Sequence, residues 1–269
     1  MINKISSKKH TYFTGYMKKL IIIIFTSFLI LSGCSSNKIV TPETEGEQIE
    51  ILYSKGLELA KKKDYADAAM LFEDIERQYP YSSWSSQAQL MASFCWLRSS
   101  LYEESLNAID RYLALNPGSK NVDYAYYLIG LNHYNQISDV QRDQSAALTA
   151  LKSFNKIREK FPNSKYKNDS AKKIILINNR LAGKEMHVGR TYQNDHQWIA
   201  AINRFNYVIN NFDKTKYTPE ALHRLVEIYL AIGVHDEAKK YAATLGHNYP
   251  GSYWYNASYK LINEIILIN

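Results

Sequence analysis

The chain has 269 residues, with 33 lysines and arginines against 26 acidic residues and a formal net charge of +7. Residues 1–33 contain five lysines and no acid, so residues 34–269 carry 28 basic against 26 acidic groups, a net of +2. That near balance removes the basic face a nucleic-acid binder needs, and two cysteines exclude a disulfide-built framework.

The first element is a secretory leader. Lys18 and Lys19 precede an apolar run from Leu20 to Leu31, interrupted only by Thr26 and Ser27. A cationic start, a short apolar stretch and small residues at its end are the marks of a cleaved signal. The run is also too short for a membrane-spanning helix, which needs ~20 apolar residues. Met17 opens a compact signal by itself, so residues 1–16 are expected to be upstream of the working start. Leu31-Ser32-Gly33-Cys34 resembles a lipobox. The resemblance implies cleavage between Gly33 and Cys34 and acylation of Cys34. Domain boundaries follow as 1–33 for the signal, 34–48 for a lipidated tether and 49–269 for the folded body. With Cys34 acylated, Cys95 has no disulfide partner. Its setting, Ser93-Phe94-Cys95-Trp96-Leu97, predicts a buried small hydrophobe rather than a reactive thiol.

Residues 35–46 are polar, contain Pro42 and Gly46, and read as an extended tether reaching at most ~40 Å. From Ile49 onward the chain repeats. The terminators are Gln78-Tyr79-Pro80-Tyr81-Ser82, Leu115-Asn116-Pro117-Gly118-Ser119, Lys160-Phe161-Pro162-Asn163-Ser164, Asn211-Phe212-Asp213-Lys214-Thr215 and Asn248-Tyr249-Pro250-Gly251-Ser252. Proline lacks an N–H and clashes with the preceding turn, so each marks a helix end. Thr218-Pro219 reads instead as an N-cap and first helical residue.

Counting back from each terminator gives a period of about 34 residues, that of tetratricopeptide (TPR) helix pairs. The first unit, 49–82, places Gly56, Ala68 and Phe72 at the two small positions and the aromatic position. The second, 86–119, has Ser93, Ser105 and Ile109 there. The fourth, 182–215, has Gly189, Ala201 and Phe205, and the fifth, 219–252, has Ala238. Small residues let the two helices of a pair cross closely, and the aromatic is expected to plug the gap to the next pair. The third unit has Gly130, Ala150 and Phe154, which requires a polar insertion around residues 137–145. A further 17 residues, 165–181, read as an extension of the fourth unit's first helix. Tyr253–Leu267 is amphipathic and is expected to cap the open end of the stack. The fold class is therefore all-α, a right-handed solenoid of about five TPR pairs with a C-terminal capping helix.

Motifs for catalysis were sought and not found. The seven histidines form neither HExxH nor a Cys/His zinc spacing, and no GxSxG, P-loop or dinucleotide glycine pattern occurs. No metal, cofactor or enzymatic activity is expected. Lys61-Lys62-Lys63 suits a helix C-terminus, where cations complement the dipole. The inner face of the first helices carries Tyr53, Leu57 and Lys61, then Leu90, Phe94 and Arg98, then Tyr127. These are candidates to line a concave groove for an extended peptide with aromatic side chains.

The stretches Arg142–Tyr166, Asn179–Phe212 and Glu220–Tyr255, together with the lipobox, the insertion and the long helix before the fourth repeat, resemble the BamD family. These are TPR lipoproteins of the outer-membrane β-barrel assembly machinery. The resemblance implies a non-catalytic component on the periplasmic face of the outer membrane. It implies that C-terminal repeats contact a BamA-type barrel protein and N-terminal repeats receive unfolded outer-membrane proteins. Accessory Bam lipoproteins are further partners it implies, with the membrane contacted through the lipid and nucleic acid not bound. Ser35 after Cys34 agrees with outer-membrane sorting. The competing expectation is another TPR lipoprotein scaffold, a pilus pilotin or cell-wall coordinator.

Overall fold

A computed structural model describes residues 42–137 and 143–266. Gly33, Cys34 and the first part of the tether lie outside the described residues, as does the middle of the insertion. The chain divides into two compact units, Met1–Gln48 and Ile49–Asn269. The described residues form eleven α-helices and no strand. They are α1 Pro42–Lys62, α2 Tyr65–Gln78, α3 Ser83–Arg98, α4 Tyr102–Leu115, α5 Val122–Asn135 and α6 Ser145–Lys160. α7 Lys167–Asn194, α8 Trp198–Asn211, α9 Thr218–Ala231, α10 His235–Asn248 and α11 Tyr253–Ile266 complete the chain.

Two turns recur, and together they build the stack. The first follows the second helix of each pair. Tyr79, Asn116, Phe161, Phe212 and Tyr249 each donate N–H to the carbonyl four residues back, at 2.8–3.0 Å. Three residues later Ser82, Ser119, Ser164, Thr215 and Ser252 donate N–H back to those same five residues, at 3.0–3.2 Å. The hydroxyl then helps start the next helix, because Ser82 Oγ accepts from Trp84 N at 3.1 Å and Ser164 Oγ from Tyr166 N at 3.1 Å. Such bonds satisfy donors that a helix start leaves open. In the fourth unit Asp213 takes proline's place without altering the turn.

The second turn joins the two helices within a pair. Lys63, Ser100, His196 and Gly233 take positive φ, between 57° and 78°. The next residue donates to the carbonyl five back, as in Asp64 N to Leu59 O at 3.0 Å and Val234 N to Tyr229 O at 2.8 Å. This is the double-bonded helix ending that a left-handed residue permits. In the third pair no described residue beside the insertion takes this conformation.

Packing follows the repeat. Ala68, Ser105, Ala150, Ala201 and Ala238 are fully buried. A Cβ at Gly56, Gly130 or Gly189 would stand 2.8, 2.5 or 2.6 Å from a ring carbon of Phe72, Phe154 or Phe205. The aromatic thus fills the crossing of its own pair, rather than only the gap to the next pair. In the second pair serines replace this contact. Ser105 Oγ donates to Ser93 O at 2.8 Å, and Asn132 Nδ2 reaches Ser105 Oγ at 2.9 Å. Five apolar clusters succeed one another along the stack, from Ile49 and Phe72 to Val226 and Leu230.

Two boundaries differ from expectation. α1 starts at Pro42 rather than at Ile49, since proline's missing N–H costs nothing in a first turn. α9 starts at Thr218, whose Oγ1 donates back to Phe212 O at 2.9 Å, so Tyr217 is the cap and Pro219 lies one position further in. The long helix is present as a 28-residue α7, burying Ile174, Ile177 and Leu181. α11 packs on α9 and α10 as the closing helix.

Candidate peptide-binding cleft

Three inner helices, α1, α3 and α5, each give residues to one side of the stack. A cleft of about 730 Å³ opens there, lined by Tyr53 of α1, Leu90 and Met91 of α3, Lys120, Asp123 and Tyr124 at the start of α5, and Lys165 and Tyr166 before α7. Tyr53 is held edge-on to Phe72, with ring centroids 5.2 Å apart, and tilted against Trp84 at 5.0 Å. Tyr166 stacks on Tyr124 at 5.0 Å and on Tyr127 at 4.5 Å. Tyr127 Oη donates to Asp169 Oδ2 at 2.6 Å, which fixes the ring. Burial raises the Tyr53, Tyr124 and Tyr127 pKa values, so these phenols stay neutral near pH 7. The cleft can therefore offer flat half-buried rings and two ammonium groups.

Of the residues expected to form a groove, Tyr53 and Leu90 line this cleft and Tyr127 supports it through Tyr166. Leu57, Lys61, Phe94 and Arg98 do not line it. Leu57 packs against the first core cluster and Lys61 is exposed in the last turn of α1. Phe94 meets Tyr65 edge-on at 6.3 Å, with the Arg98 guanidinium 5.1 Å over the same Tyr65 ring. These four sit further along their helices, beyond the cleft. Residues missed were Met91, Tyr124, Lys120, Lys165 and Tyr166. Tyr124 precedes Tyr127 by three residues, so helical spacing could have found it. Tyr166 caps α7 from a loop, where no periodicity points.

A second polar array lies under the closing helix. His223 Nδ1 is 2.8 Å from Ser258 Oγ, and Nε2 is 3.2 Å from Glu227 Oε1. The carboxylate places the proton on Nε2, so Nδ1 accepts from the serine hydroxyl. The order serine, histidine, acid matches that of hydrolases, but Ser258 is 0% exposed and no substrate can reach it. The array instead ties α11 to α9. Burial would raise the Glu227 pKa, but bonds from His223, Arg224 and Gln193 outweigh it and hold the carboxyl at about 2. Arg224 also sits 5.5 Å over Trp254.

Among the described residues no group of three or more His, Cys, Asp or Glu is placed to hold a metal ion. No described helix is long and apolar enough to cross a membrane. Cys95 is free and fully buried.

A family model described as an outer membrane lipoprotein, YfiO, matches residues 46–245. A Rickettsia prowazekii protein named outer membrane protein assembly factor BamD is 43% identical, over 92% of this chain and 98% of its own. A Caulobacter vibrioides protein of the same name is 40% identical over 87% of this chain and 77% of its own. One from Neisseria meningitidis serogroup A is 30% identical over 88% and 93%. A solved type IV pilus biogenesis factor, PilW, aligns with a TM-score of 0.32 at 15% identity, covering 78% of this chain and 97% of its own, a likeness too weak to bear on function. The family match and these identities along nearly the whole length place the chain in the BamD (YfiO) family of outer membrane lipoproteins.

Proposed function

We propose that the chain is a non-catalytic assembly factor for outer membrane β-barrel proteins, anchored by lipid on Cys34 at the periplasmic face of the outer membrane. The observation that carries this reading is the 43% identity to a named outer membrane protein assembly factor across 98% of that protein. The cleft between the first three inner helices receives segments of unfolded outer membrane proteins, with Tyr53, Tyr124 and Tyr166 stacking on their aromatic side chains. The C-terminal repeats, closed by α11, offer a surface to a BamA-type barrel protein, and accessory lipoproteins join the same complex. A TPR stack suits this work because its surface is large and preformed while each repeat is held only by its neighbours.

Catalysis has no part in this reading. The cleft offers rings and ammonium groups, and the one serine–histidine–acid array is sealed under α11.

The test is purification of the full chain in mild detergent from its own membranes, followed by crosslinking from a photoreactive residue at Tyr53 or Tyr124. A barrel protein should co-purify, and the crosslinks should reach nascent outer membrane proteins. A solitary monomer with no barrel protein, or crosslinks confined to pilus or septal proteins, overturns the reading.

A further inference from the structure

The aromatic surface does not end at the cleft. Tyr127, stacked on Tyr166, leans on the buried ring of Phe154 at 6.1 Å, and Phe154 meets Tyr134 edge-on at 6.5 Å. Tyr124, Tyr166, Tyr127 and Tyr134, each half-buried, thus run from the mouth of the cleft to the C-terminal end of α5, where it faces α7. Cations border the row. Lys120 lines the cleft, Lys165 Nζ lies 5.1 Å over Tyr166, and Lys173 Nζ and the Arg180 guanidinium lie 4.7 and 5.8 Å over Tyr134.

The cations come largely from the extra half of α7. That half buries Ser170, Ile174, Ile177 and Leu181. It leaves Lys173, Leu176 and Arg180 on a flanking face about a quarter turn away, spaced three and four residues apart. Between residues 165 and 184 there are six basic groups and one acid, Asp169. Asp169 is already engaged, accepting from Tyr127 and lying 3.7 Å from Lys173 Nζ. Asp123, the acid of the cleft, accepts from the backbone N of Tyr124 at 2.8 Å. Lys184 influences Asp143 across the insertion. Lys120, Lys165 and Arg180 pair with no carboxylate among the described residues. Cations on some other faces are paired, as where Arg111 meets Glu73 and Glu76, or Arg190 meets Glu220.

We infer that this row of tyrosines and the cations beside it form a track for an extended peptide segment that carries carboxylates among its aromatic residues. The inference rests on the reading of the cleft as a peptide groove and adds the sign of the charge it selects. In an extended strand every second side chain projects to the same side, ~6.7 Å apart, so a strand lying along the row turns one set of its side chains toward it. Cations held over ring faces have already lost part of their hydration. An incoming carboxylate forms a charge-assisted bond there at reduced cost.

The experiment uses the full chain in mild detergent and three short peptides that alternate aromatic residues with Glu, Gln or Lys, each labelled with a neutral dye. Binding is read by fluorescence anisotropy at low and high salt. The Glu peptide should bind about tenfold more tightly than the Gln peptide at low salt, and high salt should remove the advantage. K165Q with R180Q should cut that advantage to about threefold or less and leave the melting temperature unaltered. If the Glu and Gln peptides bind alike, the groove reading survives and the charge inference fails. If no peptide binds, both fail. If phosphatidylglycerol vesicles bind through Lys165 and Arg180 and the Glu peptide does not, the track is a lipid-facing surface and the inference is overturned.

Discussion

At Gly130 one added methyl group would stand 2.5 Å from the Phe154 ring. Alanine gains about 1 kcal/mol over glycine in a helix interior, whereas forcing an extra carbon into a packed crossing costs about 1–3 kcal/mol. The ring is itself fully buried and cannot retreat, so overpacking wins. Gly130→Ala should lose about 1–2 kcal/mol in urea denaturation, while Gly118→Ala, with open space around it, should stay within about 0.5 kcal/mol of the parent. Cys95 offers a second check at this scale. Burial pushes its thiol up to about 12, so it should resist maleimide at pH 8 in the native protein and react only after unfolding. Both residues were legible in the sequence, the glycine from its spacing to Ala150 and Phe154, the cysteine from its apolar neighbours. Tyr166 was not, because a loop residue belongs to no periodic face. Nor was the contact of His223 with Ser258, which lie 35 residues apart on different helices.

The helices owe their ends to turns that sequence reading recognised only in part. Proline marked four of five terminators, yet the shared element is the backbone bond from the Ser or Thr two residues later, which Thr215 makes without proline. The turns inside each pair carried no proline and were invisible until their φ values were known. One of them suggests an improvement. Ser100 holds φ of 62°, a strain glycine does not feel, and Ser100→Gly should raise stability by about 0.5–1 kcal/mol in thermal unfolding. The α9–α11 junction makes an opposite prediction with pH. Glu227 is held at about 2 in the folded protein against 4.5 for a free side chain. A depressed folded value means stability that is present above pH 4.5 and lost as pH falls toward 2. Allowing for partial exposure this is worth about 2 kcal/mol. The parent should therefore lose more stability than Glu227→Gln between pH 5 and pH 3 when both are followed by denaturant midpoint.

For the molecule as a whole, the number of repeats, the insertion and the long helix were all readable from spacing, because each repeat solves the same packing problem with the same residue types. The lengthwise track of tyrosines and cations was not readable, since it draws on four elements that only the stacking brings side by side. The lipid anchor is tested at this scale. Cys34→Ala should leave the precursor unacylated and uncleaved by the lipoprotein peptidase, and labelled fatty acid still entering the mutant would refute the assignment. A last consequence concerns order in time. Almost every packing partner is the next helix along the chain, so a polypeptide emerging N-terminus first can condense pair by pair with little delay for distant segments. The strongest exception is the far end, where Val226 and Leu230 of α9 are only partly covered by α10 until α11 is delivered. The stack thus gains its seal only once α11 has followed, and a chain cut short before Tyr253 would finish sticky and prone to self-association.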